Sequence, residues 1–202
     1  KLTGLLREPK SDAGGVEYRV DGQAIISGDS GDGKFDVYIV DCQGAGCVHA
    51  QNVGYGDCKA VPTFVWINAN YIVSRTGVVD TKRLEATVAH EFMHSVMKGY
   101  NFKADCGAYT QMGEAWANWA IDDAFPANQT ENDYWDRFRA PDYPLFAFTG
   151  YEDWVFPYYL TKTHGREVLR NITAATEQHA PLAAVNQGLA VHGGLADVWH
   201  EY

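Results

Sequence analysis

The chain has no apolar run approaching the length of a bilayer span, and no membrane partner is expected. It also lacks clustered Lys and Arg: 16 basic residues stand against 26 acidic ones, a formal net charge of -10. Phosphate contacts need concentrated positive charge, so no nucleic-acid partner is expected and a solvated acidic surface is. No internal repeat or low-complexity tract is visible. The opening Lys1-Leu2-Thr3-Gly4 has neither an initiator Met nor a signal-peptide core, which suggests a mature or trimmed form. Cysteine is sparse. Cys42, Cys47, Cys58 and Cys106 have no His in CxxC-type spacing, which speaks against a structural zinc site and for two disulfides in an oxidising, extracellular compartment. Of the three pairings open to four cysteines, the expected one joins Cys42 with Cys47 and Cys58 with Cys106. Asn128-Gln129-Thr130 and Asn171-Ile172-Thr173 are glycosylation sequons, relevant only in a eukaryotic source.

With 46% hydrophobic positions, 202 residues suffice for one sizeable core or two small lobes sharing a cleft. The first third is Gly-rich, with β-type runs at Glu17 to Ile26, Phe35 to Val40 and Val61 to Ile67. From Asp80 the period changes: Leu84, Val88, Phe92 and Val96 recur at helical steps, from a cap at Asp80 or Thr81 to a stop at Gly99. A second helix is expected from Met112 to Ala124, with Pro126 beyond it. Further helical patterns cover Asn132 to Arg139, Tyr151 to Thr163, Arg166 to Glu177 and Leu182 to Val191, with a last turn at Asp197 to Glu201. The expected fold is α+β, one catalytic domain over 1–202. A small twisted N-terminal β-sheet and a central helix (1–99) would be followed by a mostly helical subdomain (100–202), with a cleft between the two.

The central helix carries His90-Glu91-Phe92-Met93-His94. Two imidazoles four residues apart share one helical face, where one cation can bridge them. Glu91 lies beside the first of them, placed to take a proton from an attacking water rather than to ligate. A catalytic zinc site takes three protein ligands and leaves a fourth position open. The third must come from downstream. Glu114 stands twenty positions after His94, and Asp105 is its rival.

In these residues the sequence resembles the gluzincin group of zinc peptidases, whose His-Glu-x-x-His helix is completed by a Glu from a following helix. The spacing from His94 to Glu114 matches the thermolysin-like members, and the matched stretch runs from about Val61 to Leu169. The resemblance implies a zincin-like fold, Zn2+ held by His90, His94 and Glu114, and Glu91 as general base. It also implies an oxyanion donor from the C-terminal part, for which Tyr151 matches in position; Tyr109, Tyr158, Tyr159 and His164 are the other candidates. Where thermolysin-like enzymes carry a carboxylate one turn after the ligand Glu, this chain has Asn118, which can still accept a hydrogen bond from a ligand imidazole. No His follows at the metzincin position, where Asp105 and Cys106 stand. An edge strand that pairs with extended substrate would correspond to Val61 to Ile67, which reads equally well as a plain core strand.

The expected activity is therefore that of a secreted, monomeric zinc endopeptidase acting on peptide or protein substrates. A zinc hydrolase or toxin with a non-peptide substrate, a metal-binding pseudo-enzyme, and a zinc-free binding module in which the pentapeptide is coincidence are the alternatives. Residues 29–36 read as a Gly-rich turn rather than a calcium loop, because acidic residues do not alternate and no Glu stands at position twelve. Trp116, Trp119 and Ile121 read as core, and His49, His179, His192 and His200 as surface or structural.

Overall fold

The computed structural model describes residues 6, 17–20, 23–27, 35–41, 44–50, 59–134, 143–147 and 149–202; for 17–20, 23–27 and 47–50 only the backbone is described. The fold is α+β. β1 (Glu17–Val20) and β2 (Gln23–Ser27) form an antiparallel pair with a register shift between Tyr18 and Arg19. The run Glu17 to Ile26 is thus two strands where the composition suggests one. The overlooked sequence signal is Asp21-Gly22, a hairpin-turn dipeptide.

A second sheet has the order β3 (Val37–Val40), β5 (Thr63–Asn68), β4 (Gly46–Ala50), with β3 parallel and β4 antiparallel to β5. β4 is absent from the sequence reading. Its Gly and Cys give little strand propensity, and it exists through its pairing with β5. As the central strand, β5 buries Phe64, Val65 and Ile67. It has neighbours on both sides, so it is a core strand and is closed to substrate pairing.

β5 runs straight into a short helix, α1 (Ala69–Ile72), where the Asn68 side chain accepts the Asn70 N–H. The long helix α2 (Thr81–Met97) starts where the Asp80 carboxylate accepts the Arg83 N–H at 3.1 Å, satisfying one of its open donors. One face of α2 sets Leu84 and Val88 against Val65, Ile67 and Ile72. Another sets Met93, Val96 and Met97 against α3 (Thr110–Ala124). α2 is therefore the wall between sheet and helices, and its polar side chains stand at the edges of its two apolar stripes.

α3 lies at the centre of the main core, with Met112, Ala115, Trp116, Ala117 and Ala120 fully buried. Trp116, Trp119 and Ile121 are core residues, and the two indole N–H groups donate to Thr173 and Thr161 hydroxyls at 3.1 and 3.3 Å. Around them pack α4 (Val155–His164), α5 (Glu167–Ala175), α6 (Pro181–Gly188) and α7 (Leu195–Glu201), which contribute Phe156, Leu160, Leu169, Ile172, Val185 and Val198. The stretch expected to be helical from Tyr151 opens as a 3-10 turn, Tyr151–Trp154, before α4 begins. Of the helix expected from Asn132 to Arg139, the described part is a 3-10 turn, Thr130–Asp133, and the rest lies outside the described residues. The Gly-rich segment at 29–36 lies mostly outside them as well. None of the described helices is long and apolar enough to cross a membrane.

Cys106 is disulfide-bonded. The side chains of Cys42, Cys47 and Cys58 lie outside the described residues, so both expected pairings do too. Asn128 is buried, and its amide nitrogen donates to the Lys82 carbonyl and the Glu85 carboxylate. In the folded chain that sequon is closed to glycosylation.

Candidate metal centre

His90 and His94 project from consecutive turns of α2 and meet Glu114, which projects from the first half of α3. His90 Nε2 lies 3.1 Å from His94 Nε2 and 3.1 Å from Glu114 Oε2, and His94 Nε2 lies 3.4 Å from the same oxygen. Three atoms each about 2.0–2.1 Å from a tetrahedral cation sit roughly 3.3 Å apart. The side chains thus already hold the spacing that a four-coordinate ion requires. Glu114 Oε2 is buried and receives no hydrogen bond of acceptable angle, although a buried carboxylate oxygen normally finds a partner. This triad could hold a metal ion, and among the described residues it is the one such group of His, Cys, Asp and Glu. Asp105, the rival for the third position, instead caps the 3-10 turn Cys106–Tyr109, accepting the Gly107 N–H at 2.7 Å.

The electrostatics follow from burial and mutual charge. Burial works against the ionised form of Glu114, but the two imidazoles overcome it and hold the carboxyl far below the usual carboxylate range. Burial likewise disfavours the His90 imidazolium, yet Glu114 and Glu91 outweigh it and raise the imidazole above its ordinary value. Glu91 is only 8% exposed. Burial pushes its carboxyl up, while His90 and His94 pull against that shift.

Glu91 is placed by a close approach of backbone to helix. Gly46 of β4 lies under it, and a Cβ there would stand 2.9 Å from the Trp66 carbonyl, 2.8 Å from Thr87 Cγ2 and 3.1 Å from Glu91 Cγ. Only a residue without a side chain lets the strand pass at that distance.

Tyr151 joins this group from the 3-10 turn before α4. Its ring stacks on His90 with centroids 5.7 Å apart and planes at 12°. Burial first, and then the nearby Glu114 carboxylate, raise its phenol well above the ordinary value, so the hydroxyl keeps its proton as a donor. Gly150 makes the placement feasible. It has φ of 94°, and a Cβ on it would lie 2.2 Å from the Gln111 carbonyl oxygen, so the turn rests directly on the start of α3. Asn118, one turn beyond Glu114 and 1% exposed, lies between the parts. Its Oδ1 is 3.0 Å from His90 Nδ1, and its Nδ2 donates to the Tyr151 carbonyl at 3.1 Å.

The described contacts of the other oxyanion candidates are to residues other than His90, His94 and Glu114. The Tyr109 hydroxyl donates to the His179 carbonyl at 2.7 Å and accepts the Ala104 N–H. Tyr158 packs against Trp154 and under Lys162, and Tyr159 against His164 and Tyr202. His164 also contacts His192, with ring centroids 4.3 Å apart. Sequence reasoning overlooked Tyr134, whose half-exposed ring stacks on Tyr151 at 5.0 Å and extends the aromatic column outward from His90. It lies in no motif, and only tertiary structure brings it here. Comparison of the chain with known family models, with curated proteins and with solved structures finds no match.

Proposed function

We propose that the chain is a secreted zinc peptidase of gluzincin type, with a zincin-like fold, in which His90, His94 and Glu114 hold Zn2+ and Glu91 is the general base. The observation that carries the reading is the convergence of the three side-chain atoms at 3.1, 3.1 and 3.4 Å, with Glu91 next to His90 on α2. Two imidazole nitrogens and one carboxylate oxygen are a donor set suited to zinc. When bound, the ion supplies Lewis acidity toward a water molecule and toward the substrate carbonyl oxygen.

The remaining work falls to the chain. Glu91 takes the water proton on its carboxylate and returns it to the leaving amine, a role favoured by a carboxyl whose proton affinity burial has increased. Tyr151 donates its hydroxyl hydrogen to the oxyanion that develops on the carbonyl. Among the described residues the edge strand beside Glu91 is β4, and it is the element offered to an extended peptide in place of β5. The disulfide at Cys106 suits an oxidising compartment.

The test is zinc stoichiometry of the purified chain together with chelator-sensitive cleavage of a denatured protein, repeated for Glu91→Gln. The expected result is one zinc per chain in both proteins, and turnover in the parent alone. Cleavage retained by Glu91→Gln rejects the base, and a zinc-loaded parent that hydrolyses esters but no peptide moves the substrate to another class.

A further inference from the structure

We propose that Asn118 is a positioning residue that couples the metal triad to Tyr151, and that an amide occupies this place because one side chain must accept on one side and donate on the other. The inference rests on the zinc-peptidase reading of the site, but its logic begins at a backbone carbonyl. The Tyr151 carbonyl can only accept, so the Asn118 atom 3.1 Å from it is the N–H-bearing nitrogen. That orients the amide. Its oxygen then faces His90 Nδ1 at 3.0 Å, and an acceptor there requires the ring hydrogen to sit on Nδ1. Nε2 is left with its lone pair toward His94 and Glu114. The turn that carries Tyr151 thus sets the tautomer of a ligand on another element.

The coupling runs both ways. Asn118 holds the first residue of the 3-10 turn against α3, and the ring of that residue stacks on the imidazole that Asn118 orients. A carboxylate would serve His90 equally well. It would, however, set a second acceptor against the Tyr151 carbonyl at hydrogen-bond distance, with no hydrogen between them in a site 1% exposed. The turn would then be pushed away from α3, and Tyr151 with it.

The experiment compares Asn118→Asp, Tyr151→Phe and the double variant in the full chain. Zinc affinity is measured by competition with a chromophoric chelator, kcat and KM by peptide cleavage, and the Tyr151 ring by NMR with labelled tyrosine. Asn118→Asp is expected to keep zinc affinity within about threefold, leave KM nearly unchanged and lower kcat by roughly tenfold or more, the effect of one lost buried hydrogen bond. In the Tyr151→Phe background the same replacement is expected to cost less than about twofold, because the two changes act on one unit. Equal losses in both backgrounds, or an undisturbed Tyr151 resonance, overturn the proposal. Asn118→Ala removes both functions and is expected to weaken zinc binding about 10- to 100-fold as well; unchanged affinity also overturns it. If the parent binds zinc but cleaves nothing, the peptidase reading fails, and the coupling is judged on zinc affinity and the Tyr151 resonance alone. If Asn118→Asp does not fold, Asn118→Ser is measured instead: it is too short to span both partners, so the Tyr151 resonance must still move.

Discussion

A cation held by His90, His94 and Glu114 should add a measurable part to the stability of the fold, and the size follows from mass action. Without a cation, His90 Nε2, His94 Nε2 and Glu114 Oε2 are acceptor atoms brought within 3.1 to 3.4 Å of one another among largely buried side chains. Only a proton on an imidazole relieves their repulsion. A ligand that binds the folded state alone stabilises it by about 4 kcal/mol at a thousandfold excess over its dissociation constant. For a domain of this size each kcal/mol moves the melting temperature by about 2–4 °C. Zinc at that excess should therefore raise the midpoint by roughly 8–16 °C over the chelator-treated protein. Melting curves by circular dichroism at fixed pH measure it, with Glu114→Ala as the control that should lose the increment. A metal-free protein that melts within about 2 °C of the reconstituted one refutes the argument that these atoms are arranged for a cation.

Tyr151→Phe should keep zinc and lower kcat by about 10²–10³ with little change in KM, as loss of an oxyanion donor does; full activity would return the role to an unidentified group. Gly150→Ala must adopt φ near 94° and place a Cβ 2.2 Å from the Gln111 carbonyl. It should destabilise the fold by about 2–4 kcal/mol and depress kcat at unchanged zinc content, and a wild-type melting curve would remove Gly150 from the argument. In the metal-free protein the His90 imidazole is raised above its ordinary 6.5 and the Glu114 carboxyl lowered below its ordinary 4.5. Their pair therefore stabilises the metal-free fold in full between the ordinary carboxylate and ordinary histidine values, and that contribution is lost as pH falls through the lowered Glu114 value or rises through the raised His90 value. Zinc must displace the His90 proton, so its affinity should increase from about pH 6 to about pH 8, by up to about tenfold per unit. Chelator competition at the two pH values checks this, and equal affinity contradicts it.

The parts of the site that could be read in the sequence are the ones encoded locally. The four-residue spacing of His90 and His94 is a property of any helix, and the Asp80 cap and the apolar period announce that helix. The core roles of Trp116 and Trp119 follow from their place in an apolar helical stretch. What escaped depends on long-range contacts. β4 is held by pairing with β5 rather than by its composition, and Tyr134 reaches Tyr151 only through tertiary structure. The demand on Asn118 to donate as well as accept comes from a carbonyl 33 residues away in sequence.

Glu114 belongs to neither class, and its case shows what a motif spacing means physically. The interval between His94 and Glu114 places no atom by itself, because the 12 residues from Lys98 to Tyr109 that separate α2 from α3 could close in many ways. Three restraints fix the closure here. The Tyr109 hydroxyl bonds to the Thr176 and His179 carbonyls, Phe102 stacks on Tyr109 with centroids 4.3 Å apart, and Cys106 is tied by a disulfide. The first ties the connection to the stretch after α5, and the second packs within the connection itself. The direction of the Glu114 carboxylate is thus set by packing remote from the metal group. Loosening that connection, for instance by reducing the disulfide, should weaken zinc binding without touching a ligand.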